Sequence, residues 1–409
     1  MLNLQQWLEL DAGQQLGVLA DAQQRQAVLQ EALPAFARRV LCQPLGEAGW
    51  LDWLDFLALA GLSGELPSTL LQKALQRLAP ALESLPPCIA GWPDYSRFPE
   101  PQPLDIELDL LNQALDNRDL DTLAPLARSM AEEADPRQMM MRRLAVMVAA
   151  DNYANGERLV LADHVSDLQE VLPAPAFTAL FVNAAYLHFQ APPGPSVVVP
   201  EGKVSLTADI RTPLLVALRE RNLQAYMHRL RALGDDPIGA LRQLLLAFGL
   251  LILERGIRGE GDQRRLAMIY LRLVALLKMH HSSRRLARRA FFAAAVQVFE
   301  LAGWTHAGPW PDYAGLLHAY QAAVGAGKHG KEVLSWETGL HQLRTGAMQD
   351  WMLAMAGEIE SAKPDPLFWN VWGAAQRARV LTAGPLAWIN ALIPLRLYGD
   401  KASGNAQAG

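Results

Sequence analysis

A basic stretch in the second half of the chain holds the residues whose types and spacing best fit a binding site. Eight Lys or Arg residues, and no Asp or Glu, occur between Arg264 and Arg289. Inside this stretch, the segment His280-His281-Ser282-Ser283 separates two helical patterns. Ser282 or Ser283 can cap the second helix. Free N–H groups and the positive end of the helix dipole at such a start favour an anion.

Four arginines of the stretch occupy positions where their charge opposes the second helix. They fall in its first two turns, at Arg284, Arg285, Arg288 and Arg289. Cations at a helix start oppose the dipole, so selection for helix stability alone would avoid them. A phosphate or carboxylate ligand would relieve the conflict. We therefore predict a site for an anion or an acidic partner formed by His280, His281, Ser282, Ser283, Arg284, Arg285, Arg288 and Arg289.

The alternative for the basic stretch is an ordinary solvated face, or a face matched by acidic residues of a neighbouring unit or subunit. An acidic block does exist elsewhere in the chain. Between Glu100 and Asp135 there are ten acidic residues against two basic ones, Arg118 and Arg128. Successive parts of the chain thus carry charge of opposite sign.

A second candidate site is aromatic. Seven of the eleven tryptophans lie between Trp304 and Trp388. Trp369 and Trp372 are three residues apart on one predicted helix, and Trp351 can face them from the helix before. This spacing is compatible with an aromatic groove for a planar ligand or a peptide, although a well-packed core would give the same pattern.

Sequence signatures of catalysis and of cofactor binding are missing. The chain has no Gly-x-Ser-x-Gly, no Walker motif, no His-Glu-x-x-His and no paired Glu-x-x-His. We therefore predict no metal site and no cofactor. Whether the protein is an enzyme stays open, because an all-helical enzyme could use isolated residues such as Tyr186, His188, His280 or Glu337 in a pocket between repeats.

The elements that must position these residues are predicted to be helices in a degenerate repeat. Trp-Pro-Asp-Tyr occurs at 92–95 and again at 310–313, each time before a helical pattern. An Asp-Pro pair also recurs at the start of the third helix of each unit, at 135–136, 236–237 and 365–366. Pro is tolerated in a first helical turn, where its missing N–H has no partner to lose.

We therefore predict an all-α fold made of helical repeats of roughly one hundred residues. Short connections between the helices favour antiparallel neighbours, in either an open solenoid or a closed, pseudo-symmetric bundle. The predicted divisions are an N-terminal helical region at 1–98, repeat units at 99–198, 199–308 and 309–398, and a flexible tail at 399–409.

Composition bounds the function further. Hydrophobic residues make up 51% of the 409 residues, which is enough to form a core, and the longest apolar run, of about ten residues, is half of what a bilayer requires. A net charge of −5 disfavours a general nucleic-acid binder. Two cysteines and an N-terminus without a signal-peptide pattern favour the cytoplasm.

Taken together, these features favour a non-enzymatic helical-repeat protein that binds a protein or peptide partner. The basic Arg264–Arg289 stretch is the predicted contact for an acidic ligand. The all-helical enzyme is the second hypothesis, and the oligomeric state is left open by the sequence.

Overall fold

The computed structural model describes the chain in separate stretches. These are residues 4–29, 32, 68–69, 71–73, 75–76, 104–149, 156–170, 172–190, 217–218, 222–233, 236–255, 260–279, 284–304, 366–381, 390, 393–394 and 397–398. Most of these residues are helical and none of them lies in a β-strand. The all-α prediction is therefore confirmed for this part of the chain. Both Trp-Pro-Asp-Tyr motifs lie outside it, as does the predicted tail.

Twelve helices can be assigned within the described stretches. The first seven are α1 (Leu4–Leu8), α2 (Ala12–Ala20), α3 (Leu104–Asn117), α4 (Leu120–Met130), α5 (Ala134–Val148), α6 (Glu157–Leu168) and α7 (Ala174–Gln190). The others are α8 (Leu223–Leu233), α9 (Pro237–Arg255), α10 (Glu260–Met279), α11 (Arg284–Trp304) and α12 (Pro366–Leu381). None of the described helices has the length and apolar character needed to cross a bilayer.

Contacts divide the chain into two compact units. Unit 1 comprises Met1–Val148 and Glu157–Pro193, and unit 2 comprises Ala149–Gly156 and Gly194–Gly409. The predicted N-terminal region and three repeat units are a different division of the chain, and their boundaries remain a prediction.

Unit 1 is packed around α7, a helix that is apolar on nearly all sides. It contacts α4, α5 and α6, while α3 packs on α4 and α5. Phe177 and Phe181 of α7 are fully buried, and their stacked rings have centroids 6.3 Å apart. A helix that is apolar on all sides can keep its side chains out of water only if other helices pack around it. Helix α7 is in that position.

Arg137 of α5 fixes the connection that leads into α7. Its Nη1 donates to the carbonyl oxygens of Gln169, at 2.6 Å, and Leu172, at 2.8 Å. Its guanidinium carbon lies 5.2 Å from the centroid of the Phe177 ring, within cation–π range. Partial burial lowers the pKa of Arg137 from its usual value, but a guanidinium remains a cation at any physiological pH.

At the N-terminal end of unit 1, a buried glutamine joins helices that are distant in sequence. Gln15 of α2 is 3% exposed and donates to the carbonyl oxygens of Trp7 and Leu8, each at 3.2 Å. Its own Oε1 accepts from Gln72 at 3.0 Å and from Gln76 at 2.7 Å. These hydrogen bonds satisfy an amide that would be costly to bury alone.

Unit 2 is packed around α10. This helix contacts α9, α11 and α12, and every residue from Leu266 to Leu277 is buried. Helix α8 packs on α9 and α11. A stretch of twelve consecutive buried residues spans more than three turns, so α10 is enclosed on all sides over that length.

Short polar side chains begin several of the helices. Asp119 accepts hydrogen bonds from the backbone N–H groups of Asp121, at 3.1 Å, and Thr122, at 3.2 Å. Asn222 accepts from Ala225 N at 3.0 Å before α8. Asp236 likewise accepts from Gly239 N at 3.0 Å before α9. Each carboxylate or amide oxygen satisfies an N–H group that the helix itself leaves unpaired.

The prolines predicted to open helices do so. Pro136 lies in the first turn of α5, Pro237 is the first residue of α9, and Pro366 is the first residue of α12. In each place the fixed φ of proline suits the helix and no hydrogen bond is lost.

Replacing Asp119 with Ala should lower the free energy of unfolding by about 1 kcal/mol, because α4 loses its N-cap. The hydrogen bond from the Thr122 hydroxyl is the largest cause of a lowered pKa at Asp119. The stabilisation should be fully present above the unfolded pKa of about 3.9 and be lost as pH falls through the folded pKa.

Urea unfolding at neutral and acidic pH measures this difference. Asp116→Ala, at an exposed carboxylate of α3, is the matched control and should change stability by less than about 0.5 kcal/mol. Equal stability of wild type and D119A at neutral pH would contradict the capping role.

Candidate functional site

The basic residues of the Arg264–Arg289 stretch lie on two consecutive helices of unit 2. Helices α10 and α11 contact each other and carry all eight basic residues of the stretch. The predicted site residues His280, His281, Ser282 and Ser283 lie between these helices, outside the described residues. The structure therefore describes the two helices on either side of this segment.

The basic stretch does not form one continuous surface. Arg264 and Arg265, in the first turns of α10, are exposed. They lie about 20 Å along the helix axis from Met279, its last residue, at 1.5 Å per residue. Lys278, at the other end, is half-buried and stands in the last turn, where a cation suits the helix dipole. The stretch is thus split between the two ends of α10.

The four arginines of the predicted site occupy the start of α11. This helix begins at Arg284, so positions 284 and 285 fall in its first turn and 288 and 289 in its second. Its first turn holds no acidic residue. At 100° per residue the four positions span an arc of about 140°, so they share one side of the helix. The backbone therefore places all four residues within the first two turns of α11.

Helix α11 is held firmly beyond its arginine-bearing start. All residues from Ala290 to Ala295 are buried. The hydroxyl of Tyr226, on α8, donates to the carbonyl oxygen of Ala295 at 2.9 Å, and the Tyr226 ring lies 5.3 Å from the Phe299 ring. Burial raises the pKa of the Tyr226 phenol well above its usual value, so the hydroxyl stays a donor. The buried part of α11 therefore holds the start of the helix in position.

A feature that sequence reasoning missed is the complete burial of Arg272. This residue belongs to the basic stretch, yet it is 0% exposed in the middle of α10. It donates to the Oε1 atom of Gln297, on α11, and its Nη2 lies 3.4 Å from the carbonyl oxygen of Ala149. Arg272 therefore contributes to the interior of unit 2 and cannot be counted as part of a basic surface.

Gly156 provides the space that the Arg272 side chain occupies. Its φ is +83°, in the left-handed region that favours glycine. A Cβ atom at this position would lie 2.4 Å from Cδ and 2.8 Å from Nε of Arg272. No side chain could be added there without moving the arginine.

A signal for this burial does exist in the sequence. Arg272 is the one charged residue between Leu266 and Leu277, and the residues on both sides of it are apolar. A helix that is apolar on all sides is enclosed, so a charge within it must be buried with hydrogen-bond partners.

The opposite side of α10 carries a second set of buried polar contacts. Gln263 donates to the carbonyl oxygen of Leu397 at 2.7 Å. The Tyr270 hydroxyl donates to Oδ1 of Asn390 at 2.9 Å. Residues 263 and 270 are two helical turns apart, so they lie on one side of α10. These bonds attach the C-terminal segment of the chain to α10.

Of the predicted aromatic groove, one member can be located. Trp372 is 6% exposed, and its ring centroid lies 5.9 Å from that of Phe368. Phe368 is also 5.2 Å from Tyr398, edge to face. Trp351 is outside the described residues, as is the side chain of Trp369. Trp372 packs within an aromatic cluster, as core residues do.

Two of the residues considered for catalysis, Tyr186 and His188, are half-buried on α7. Arg158 of α6, 7% exposed, places Nη1 at 3.4 Å from Nδ1 of His188. An arginine can only donate, so Nδ1 of His188 is the acceptor in this hydrogen bond. The other two candidates, His280 and Glu337, lie outside the described residues.

No three His, Cys, Asp or Glu residues lie close enough together to hold a metal ion within the described stretches. Comparisons with protein-family models, with curated proteins and with solved structures gave no significant match. Function must therefore be inferred from the placement of the residues themselves.

Replacing Gly156 with Ala should lower the free energy of unfolding by about 2 kcal/mol or more, because the new Cβ is strained at positive φ and collides with Arg272. Gly17→Ala is the matched control. Gly17 is an exposed residue inside α2, and an added Cβ there would have no heavy atom within 4 Å. That change should raise stability by about 1 kcal/mol.

Chemical denaturation of the two glycine variants beside the wild type gives both values. A G156A protein as stable as the wild type would show that neither the backbone nor the Arg272 contact constrains this position.

Replacing Tyr226 with Phe should cost about 1 kcal/mol through loss of the hydrogen bond to Ala295. Because the folded pKa of Tyr226 is raised, its stabilisation is complete below the unfolded pKa of about 10 and is lost as pH rises through the folded value. The wild type should therefore lose stability above about pH 10 more steeply than Y226F. Unfolding curves at neutral and alkaline pH test both parts, and parallel alkaline losses would contradict the second.

Proposed function

We propose that this chain is a non-enzymatic helical-repeat protein whose function is to bind an acidic protein or peptide. The binding surface is the start of α11, with Arg284, Arg285, Arg288 and Arg289, extended by His280, His281, Ser282 and Ser283. The observation that carries the proposal is that α11 begins at Arg284, while its body from Ala290 to Ala295 is buried. Four cations thus stand at the start of an anchored helix.

The chemistry of that start favours a carboxylate or phosphate. A helix start offers free N–H groups and a positive dipole end, and each guanidinium offers a planar set of donors that matches such groups. Mutual repulsion of the cations and the opposing dipole reduce the stability of the unliganded helix start. An acidic ligand relieves both effects, and this relief adds to the binding free energy that its direct contacts supply.

Local similarities between the units support a repeated arrangement. The pairs α4–α7, α5–α6 and α6–α7 of unit 1 have counterparts in the pairs α8–α11, α9–α10 and α10–α11 of unit 2. The chain also enters α4 and α8 in the same way. Asp119 N donates to Ala114 O at 2.9 Å, and Asn222 N donates to Ala217 O at 3.0 Å. Repeated helical units commonly present extended binding surfaces.

Neutralising the start of α11 should abolish binding of an acidic ligand. The probe is a fluorescently labelled glutamate-rich peptide, followed by anisotropy at low ionic strength. The double variant R284Q/R285Q should weaken binding about tenfold or more, because each charge-assisted hydrogen bond contributes about 1.5–3 kcal/mol. The variant with all four arginines replaced by Gln should show no saturable binding.

The matched control is R264Q/R265Q, which removes the same charge from exposed positions at the far end of α10. The affinity of this variant for the peptide should stay within about twofold of the wild-type value, because only long-range electrostatic attraction changes. If both double variants weaken binding equally, attraction to net charge explains the interaction and the proposed surface is wrong.

A further inference from the structure

Helix α3 has an outer face that its neighbours in unit 1 leave uncovered. The helix packs on α4 and α5 and buries Leu111, Ala114 and Leu115. Beside this buried face, Ile106 is 45% exposed and Leu110, one turn later, is 36% exposed. At 100° per residue, Leu110 lies about 40° and Ile106 about 80° around the helix from the buried Ala114, so the two apolar side chains form a short stripe along the edge of the packed face.

This exposure is concentrated on one helix. Four large apolar side chains are exposed among the described residues, and three of them, Leu104, Ile106 and Leu110, belong to α3. Leu104 lies about 120–160° around the helix from the other two, whereas Ile106 and Leu110 are adjacent. Apolar residues exposed singly are normal on protein surfaces, and adjacent ones with a polar border are characteristic of a contact surface.

A row of carboxylates borders the apolar stripe. Asp105, Asp109 and Asp116 are exposed, and at 100° per residue they lie within an arc of about 40° of the helix surface. No Lys or Arg among the described residues forms an ion pair with them, and Arg143 of α5, which does reach α3, donates to Asn112. We call Asp105, Ile106, Asp109, Leu110 and Asp116 together the α3 outer face.

The start of α11 is complementary to this face in charge and in spacing. Arginines at positions 284 and 288, and again at 285 and 289, repeat every four residues. Asp105 and Asp109 repeat at the same interval on α3. Paired rows of opposite charge at equal spacing fix the register of a contact and exclude partners of like charge.

We propose that the α3 outer face of one molecule binds the start of α11 in a second copy of the same chain. This inference rests on the proposed function, since it names the acidic partner of the arginines. The contact joins two different surfaces, so a bound pair keeps one free α3 outer face on one molecule and one free α11 start on the other. Such a heterologous contact forms a ring if it closes and an open chain if it does not.

The association should be concentration-dependent and strongly sensitive to salt. Sedimentation velocity of the full-length wild-type protein at low ionic strength should show species larger than the monomer that grow with concentration. They should disappear in about 1 M salt, where the Debye length falls to about 3 Å and exposed charge pairs are screened.

A charge-swap experiment tests which surfaces meet. D109K/D116K makes the α3 outer face basic, and R284E/R285E/R288E/R289E makes the start of α11 acidic. Each variant alone should be monomeric, because its two surfaces now carry like charge. An equimolar mixture should associate again, since the variants are complementary. E133K/E170K, with the same change in net charge at exposed positions outside the face, should associate like the wild type.

The apolar stripe is tested without changing charge. I106S/L110S should reduce association at least tenfold. Because Ile106 and Leu110 are 45% and 36% exposed and the remainder of each is covered in the monomer, a small decrease in the unfolding midpoint is expected as well. Association of this variant at the wild-type level would show that the stripe is not part of the contact, and would overturn the proposal.

The result also separates this inference from the proposed function. A wild-type protein that is monomeric at every concentration, yet binds the glutamate-rich peptide through its four arginines, overturns self-association and retains the proposed function. Self-association that persists in both charge-reversed variants assigns the contact to another surface and likewise overturns the inference. Loss of the arginine effect on the peptide would remove the basis of both.

Discussion

The interior of unit 2 is organised around a buried cation. Moving a charge out of water costs several kcal/mol, whereas a hydrogen bond to a charged group returns only about 1.5–3 kcal/mol. The Arg272 side chain can therefore stay buried only if several hydrogen-bond acceptors are held in place around it. Gln297 and the Ala149 carbonyl supply two of them, and Gly156 leaves the space for the side chain. The position of α11 relative to α10 is consequently constrained from within the core, through Gln297.

Local signals in the sequence are enough to explain where several helices begin and why one of them is central. Asp119 caps α4, Pro237 and Pro366 open α9 and α12, and α7 is central because no side of it is polar. Each of these outcomes depends on chemistry within a few residues: an oxygen that accepts from free N–H groups, a fixed φ, or the absence of a polar face. The larger divisions into repeats depend on contacts between distant residues, which local patterns do not contain.

Prediction of the candidate site from the sequence is limited in the same way, by the lack of information on contacts between distant residues. Counting charges along the chain groups Arg264, Arg272 and Arg284 into one basic stretch, because the count ignores three-dimensional position. In the folded unit the first is exposed at one end of α10, the second is buried, and the third begins α11. Charge density in a sequence therefore indicates that cations are present but not that they share a surface. Helix length and the apolar run around Arg272 carry the missing information.

The residues that accommodate Arg272 come from an interruption of unit 1. Ala149–Gly156 joins α5 to α6, yet its contacts assign it to unit 2, whose main part begins at Gly194. A gene fragment that starts at Gly194 would encode the arginine without Ala149 or Gly156, and one that stops at Pro193 would encode those two without the arginine. The two units are therefore interleaved along the chain, and neither corresponds to one continuous range of residues.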